Sequence, residues 1–129
     1  EDADKIYGLD RVDKSRQIYV VEGPIDSMFL NNCIAVAGAD FSKQLPIDGE
    51  MTIIFDNEPR NKEVCKQIEK TINQERKIVI WPDTMKEKDI NDMVLAGYSK
   101  KDIRQIITDN TFQAASASLR FAEWRKINA

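Results

Sequence analysis

Four short runs of this chain are apolar at almost every position: Gln17 to Val21, Cys33 to Ala37, Met51 to Phe55 and Lys77 to Trp81. Their β-branched and aromatic residues suit extended backbone. Because polar residues do not alternate with the apolar ones, each strand is expected to be covered on both faces. That requirement restricts the chain to layered folds in which helices flank a sheet.

The segments between the runs supply such helices. Pro24 sits where a first helical turn tolerates proline, and Ile25, Met28 and Phe29 follow at helical spacing up to Asn31-Asn32. Asp40 is placed to cap a short turn over Phe41 to Leu45, with Pro46 to Gly49 as a loop. Pro59 opens a longer helix with Val64, Ile68 and Ile72 on one face and charges on the other. Beyond Pro82, Ile90 to Ala96 form a short helix stopped by Gly97. Ser99 to Asp102 approximate a capping box for a helix bearing Ile103, Ile106 and Ile107. A last helix is expected from about Thr111, carrying Phe112, Leu119, Phe121 and Trp124, with a core role for the last two aromatics. Lys5 to Leu9 add a short leading strand. The expectation is an α/β fold: a sheet of about four mainly parallel strands flanked by helices, with extra C-terminal helices.

Composition removes whole classes of chemistry. Histidine is absent from the 129 residues, so Ser-His and Cys-His nucleophiles and histidine-bound zinc are excluded. Cys33 and Cys65 are not spaced as a metal knuckle and read as reduced structural residues. A net charge of −3 argues against gripping nucleic acid by blanket phosphate neutralisation. The apolar runs are too short to cross a bilayer, and a cytoplasmic setting is the default. A chain that opens at Glu1 without methionine reads as a domain cut from a longer protein or as a processed terminus.

Carboxylates fall where ligands bind in an open parallel sheet, beyond the carboxyl ends of the strands. Glu22 follows the first run, Asp56 and Glu58 the third, and Asp83 to Asp92 the fourth. Each has a structural alternative. Asp26 suits the first turn of a helix, Asn57 or Glu58 could cap the helix at Pro59, and Asp89 could cap the one at Ile90. Glu22 is harder to explain that way, since glutamate is a poor strand residue and is seldom buried unpaired. Clustered carboxylates repel one another and call for protons or a counter-cation. With oxygen ligands alone, that cation is hard, magnesium or manganese, and its characteristic chemistry is phosphoryl or nucleotidyl transfer.

Three motifs then resemble the TOPRIM domain, the Rossmann-like metal-binding module of DnaG-type primases, type IA and II topoisomerases, OLD-family nucleases and RecR proteins. "VVEGPIDSM" resembles its first motif, "IIFDNEPRNKE" its Asp-x-Asp motif, and "EKDINDMV" the Lys-Asp-x-Asn-acid element of primases. "KIYGLDR" resembles the segment that precedes TOPRIM in primases. The likeness reaches to about Leu95 and is to the C-terminal part of the primases of T-even-like bacteriophages.

The resemblance implies catalytic roles for Glu22, Asp56 and Asp89, with Glu22 as metal ligand or general base. It implies Mg2+ or Mn2+ held by Glu22, Asp56, Glu58, Asp89 and Asp92. Glu58 stands where the family usually has aspartate, so its longer arm also fits an outer-shell role. Arg60, Lys62, Lys88 and Asn91 become phosphate or nucleotide contacts, and Gly23 and Asp26 shape the turn. By the same resemblance, residues 1–98 form the catalytic domain and 99–129 a helical extension packed on it. The implied partners are single-stranded DNA template, ribonucleoside triphosphates, a replicative helicase and an N-terminal zinc-binding part of the same protein, with no membrane. Priming of DNA replication is the implied function, and the fragment alone is expected to be inactive or weakly active. A metal-dependent nuclease of OLD type and a non-catalytic RecR-like DNA-repair module are the competing readings.

Overall fold

A computed structural model describes residues 5–37 and 50–127; the expected turn at Phe41 to Leu45, its Asp40 cap and the Pro46 to Gly49 loop lie outside the described residues. Its centre is a sheet ordered β1-β3-β2-β4-β5-β6. The strands are β1 (Lys5–Tyr7), β2 (Ile18–Val21), β3 (Cys33–Ala37), β4 (Met51–Ile54), β5 (Lys77–Val79) and β6 (Thr111–Phe112). The four apolar runs provide the parallel centre, β3-β2-β4-β5. Among the described residues six strands are present rather than about four, because β1 and β6 add an antiparallel strand at each edge.

Register explains why the runs are apolar throughout. Val20 is opposite both Ile34 and Ile53, and Ile53 is opposite Ile78, so one row crosses the sheet. All four side chains are fully buried. This row packs under α2 (Lys62–Asn73) and α5 (Ala114–Trp124), against residues such as Ile68, Ile72 and Phe121. The alternate residues, including Val21, Ile54, Val79 and Trp81, face the opposite side. There they meet Ile90 and Met93 of α3 (Ile90–Leu95) and Ile103 and Ile107 of α4 (Lys100–Asp109). Period-two alternation therefore sorts one continuous apolar run into two cores.

Several local expectations change. The turn after β2, α1 (Pro24–Ser27), is a single turn, and its faces are reversed. Ile25 and Met28 are 59% and 68% exposed, whereas Asp26 and Ser27 are buried. Phe29 and Leu30, just beyond the turn, make the apolar contacts instead. The short crossover from Val21 to Cys33 leaves no length for an amphipathic helix, so the turn is oriented by where Asp26 goes. Neither Asn57 nor Glu58 caps the next helix: α2 starts at Lys62, and Asn61 caps it by accepting from Val64 N–H at 3.0 Å. Asp89 does cap α3, and Ser99 and Asp102 form the capping box of α4.

At the C-terminal end, Thr111 and Phe112 belong to a strand rather than to the last helix. They pair with Val79 and Ile78, and Ile80 N–H donates to the Asn110 carbonyl at 3.0 Å. A β-branched and an aromatic residue beside an open sheet edge gain more from pairing than from one extra helical turn. Helix α5 follows, burying Ala117, Phe121 and Trp124 while Leu119 is 73% exposed. Cys33 and Cys65 are buried free thiols, and burial pushes the Cys33 thiol up to about 12. Among the described residues no helix is long and apolar enough to cross a membrane.

Candidate metal centre

Parallel pairing sends the ends of β2, β4 and β5 to one edge of the sheet. Three acids gather there: Asp26 from α1, Asp56 from the end of β4, and Asp89 from the start of α3. One carboxylate oxygen from each lies within 4.8 Å of the others. Beneath them is a narrow cavity of about 10 Å³, whose apolar wall is Val21, Ile54, Phe55, Trp81 and Ile90. That volume is at the lower limit for one water molecule.

Two of the three acids are held by backbone donors. Asp26 Oδ1 accepts from Asn91 N–H at 2.8 Å, and Asp89 Oδ1 accepts from Asp92 N–H at 2.8 Å. Both bonds use otherwise unpaired amides at the start of α3, so that helix aligns two members of the cluster. Gly23 has an extended backbone, with φ −99° and ψ 130°, which any residue can adopt. Its small size matters for another reason: a Cβ there would lie 3.1 Å from Asp26 Oδ2. The Glu-Gly pair thus leaves space for the Asp26 carboxylate rather than supplying a special turn.

Glu22 adjoins this group without joining it. Its Oε1 accepts from Asp56 N–H at 3.4 Å, a long bond across the ends of β2 and β4. Glu58 is half-buried beside Asp56 and Asp92 is exposed on α3, and neither belongs to the group of three. Arg60 and Lys62 are exposed at the turn into α2, and Lys88 is exposed just before Asp89. Asn91 contributes its backbone amide to Asp26.

Burial raises the pKa of Asp56 to about 7, with further increments from Glu22, Asp26, Asp89 and Glu58. Glu22 is raised mainly by burial, partly offset by the bond from Asp56 N–H. Asp26 is likewise raised by burial and pulled back by Asn91 N–H. Lys88 favours the charged forms of both Glu22 and Asp26, more weakly. Asp56 therefore keeps its proton to a pH at which an ordinary carboxylate has lost it. A hard divalent cation would relieve the same repulsion, and the donors are all oxygens, so the residues fit one.

These directions set the pH dependence of stability. An acid whose folded pKa is raised contributes stability that is complete below its unfolded value, near 4. That stability is lost as pH rises through the folded value, about 7 for Asp56. With chelator present, the melting temperature should fall by roughly 3–8 °C from pH 5 to pH 8, a figure discounted for solvent screening. Magnesium should restore most of that loss at pH 8. Asp13 and Asp102 are lowered, by hydrogen bonds from Ser15 and from Ser99 N–H, and act only below about pH 4. Thermal scans at the two pH values check this, and a melting temperature that rises toward pH 8 without metal would contradict it.

Two residues carry more here than the sequence assigned them. Asp26 was placed as a turn residue, yet it is a corner of the cluster; its spacing after Glu22 was the available signal. Asn57, between Asp56 and Glu58, donates through Nδ2 to the Met85 and Glu87 carbonyls at 2.9 and 3.1 Å. Its Oδ1 accepts from Trp124 Nε1–H at 3.0 Å, and its N–H donates to the Lys88 carbonyl at 2.6 Å. The side-chain partners are 28, 30 and 67 positions away, so no local pattern announced them.

No family model matches the chain. It is similar to the DNA primase of Enterobacteria phage T4, with 34% identity over 129 residues that cover 98% of this chain. The chain spans 37% of that protein's length.

Proposed function

We propose that this chain is the TOPRIM catalytic core of a DNA primase, the part that joins ribonucleotides into short RNA primers on single-stranded DNA. The observation that carries this reading is the Asp26–Asp56–Asp89 cluster at the carboxyl edge of the sheet. It lies within a chain 34% identical to the T4 primase across nearly its whole length. In this reading residues 1–98 are the catalytic unit and 99–129 a helical extension that braces it.

Asp26, Asp56 and Asp89 would hold magnesium or manganese, with Glu22, Glu58 and Asp92 as nearby acids that ligate directly or through water. Held by these acids, such an ion would supply neutralisation of the charge that builds up in nucleotidyl transfer. Glu22, with its proton affinity raised by burial and its Oε1 at the Asp56 amide, is suited to accept the proton of a primer 3′-hydroxyl. Lys88, beside the cluster, is the first choice for phosphate contact, followed by Arg60, Lys62 and Asn91. The apolar cavity wall under the acids limits water around them, which would strengthen their attraction for a bound cation.

The rest of the reading concerns the longer protein. An N-terminal zinc-binding part would recognise the template, and a replicative helicase would deliver it, in the cytoplasm of the host cell. The fragment alone should be inactive or nearly so. The test is an assay of full-length protein with ribonucleotides, single-stranded template and magnesium. Primers should appear, and should vanish with chelator. Magnesium-dependent cleavage of DNA without primer synthesis would replace this reading with a nuclease. Template binding without either reaction would point to a RecR-like module.

A further inference from the structure

We infer that Asn57 is a positioning residue, which sets the spacing of Asp89 from Asp56 and makes that spacing depend on the end of α5. The inference rests on reading the acidic cluster as a metal centre. Asp56 follows β4 whereas Asp89 caps α3, and the segment before Asp89 has no regular structure of its own. What fixes that segment against β4 is Asn57. Its backbone N–H and both side-chain N–H groups bond to the carbonyls of Lys88, Met85 and Glu87. Three bonds from one residue clip residues 85–88 to the position directly after Asp56.

The orientation of that side-chain amide is dictated by its neighbours. Trp124 Nε1–H donates to Asn57 Oδ1, while two carbonyls face Nδ2. Turning the amide over would set donor against donor and acceptor against acceptor. Trp124 is 3% exposed and belongs to the sheet core, so its indole is held by packing. A second bond, from Lys126 N–H to the Pro59 carbonyl at 2.8 Å, ties the chain beyond α5 to the same loop. The end of the C-terminal helix therefore orients Asn57, Asn57 orients residues 85–88, and those residues carry Asp89. Groups that orient ligands in this way commonly change metal affinity by 10–100-fold when removed.

The test measures manganese affinity by calorimetry on this 129-residue chain, for Asn57→Ala and Trp124→Phe. The second variant keeps the aromatic packing and removes only the indole donor. Ile103→Val, on the buried face of α4, serves as a control destabilised without touching the clip. Asn57→Ala should weaken manganese binding about 10–100-fold, and Trp124→Phe about 3–10-fold. Ile103→Val should leave it within about twofold. Hydrogen exchange of the metal-free chain gives a second reading: the amides of Asn57 and Met85 should exchange faster in Trp124→Phe, by about tenfold. Unchanged affinity in both clip variants, or an equal loss in the control, would overturn the inference. Unchanged exchange at Asn57 and Met85 would overturn it also, without reference to metal. Absence of manganese binding by the unaltered chain would instead sink the metal reading, with the exchange result still deciding the clip.

Discussion

Asp26→Asn in the full-length protein should remove primer synthesis as thoroughly as Asp56→Asn does, by at least about a hundredfold to a thousandfold. The substitution preserves shape, and the new side-chain oxygen can still accept from Asn91 N–H, as Asp26 Oδ1 does at 2.8 Å. What it removes is one of three negative charges whose oxygens lie within 4.8 Å of one another. A cation bound by the remaining two would be held more weakly and less rigidly. The metal-free fold should not suffer, because burial already raises the pKa of Asp26 and disfavours its charged form. A raised melting temperature in chelator together with lost synthesis is the expected pair of results. Asp92→Asn, exposed and outside the group, should cost much less. If Asp26→Asn kept synthesis within about threefold while Asp56→Asn abolished it, Asp26 would return to being a turn residue and Glu22 would take its place.

Trp81→Ala should be the most damaging single truncation for stability, costing about 3–5 kcal/mol out of a typical total of 5–15. Trp81 is 2% exposed and forms part of the apolar wall beneath the acids. Its Nε1–H donates to the Phe55 carbonyl at 2.9 Å, one residue before Asp56. Truncation therefore opens a large cavity and also removes one hydrogen bond to a buried carbonyl. Trp81→Phe separates these effects. It fills most of the space and should cost about 1–3 kcal/mol, chiefly for the lost hydrogen bond to the Phe55 carbonyl. Urea denaturation of both variants reads the difference, and a cost below about 1 kcal/mol for Trp81→Ala would show that the wall is not a tight one. Metal affinity should fall in both, since the Phe55–Asp56 backbone loses its anchor.

How much of this could be read from the sequence depended on the range of the interactions involved. The caps of α3 and α4 were legible because Asp89 and Ser99 bond to amides three positions on. The reversed faces of α1 were not, since the pattern Ile25, Met28, Phe29 is that of an ordinary amphipathic turn. Only the short crossover and the neighbouring α3 amide decide that Asp26 turns inward and Ile25 outward. Strand β6 was missed for a related reason: Thr111 and Phe112 pair with residues far earlier in the chain, and helix propensity just beyond them misled the local reading.

By itself, the order of apolar runs, prolines and carboxylates determined an α/β sheet with helices on both faces and an acidic edge. Apolar pattern and the covalent order of strand and helix are local properties, and burial on two faces admits few layouts. Only the tertiary structure decided which acids share the centre, that Asp26 completes a cluster beside Glu22, and that Asn57 and Trp124 hold the loop before Asp89. Those choices turn on distances of a few ångströms between side chains from different elements, and such distances follow from strand register and loop packing.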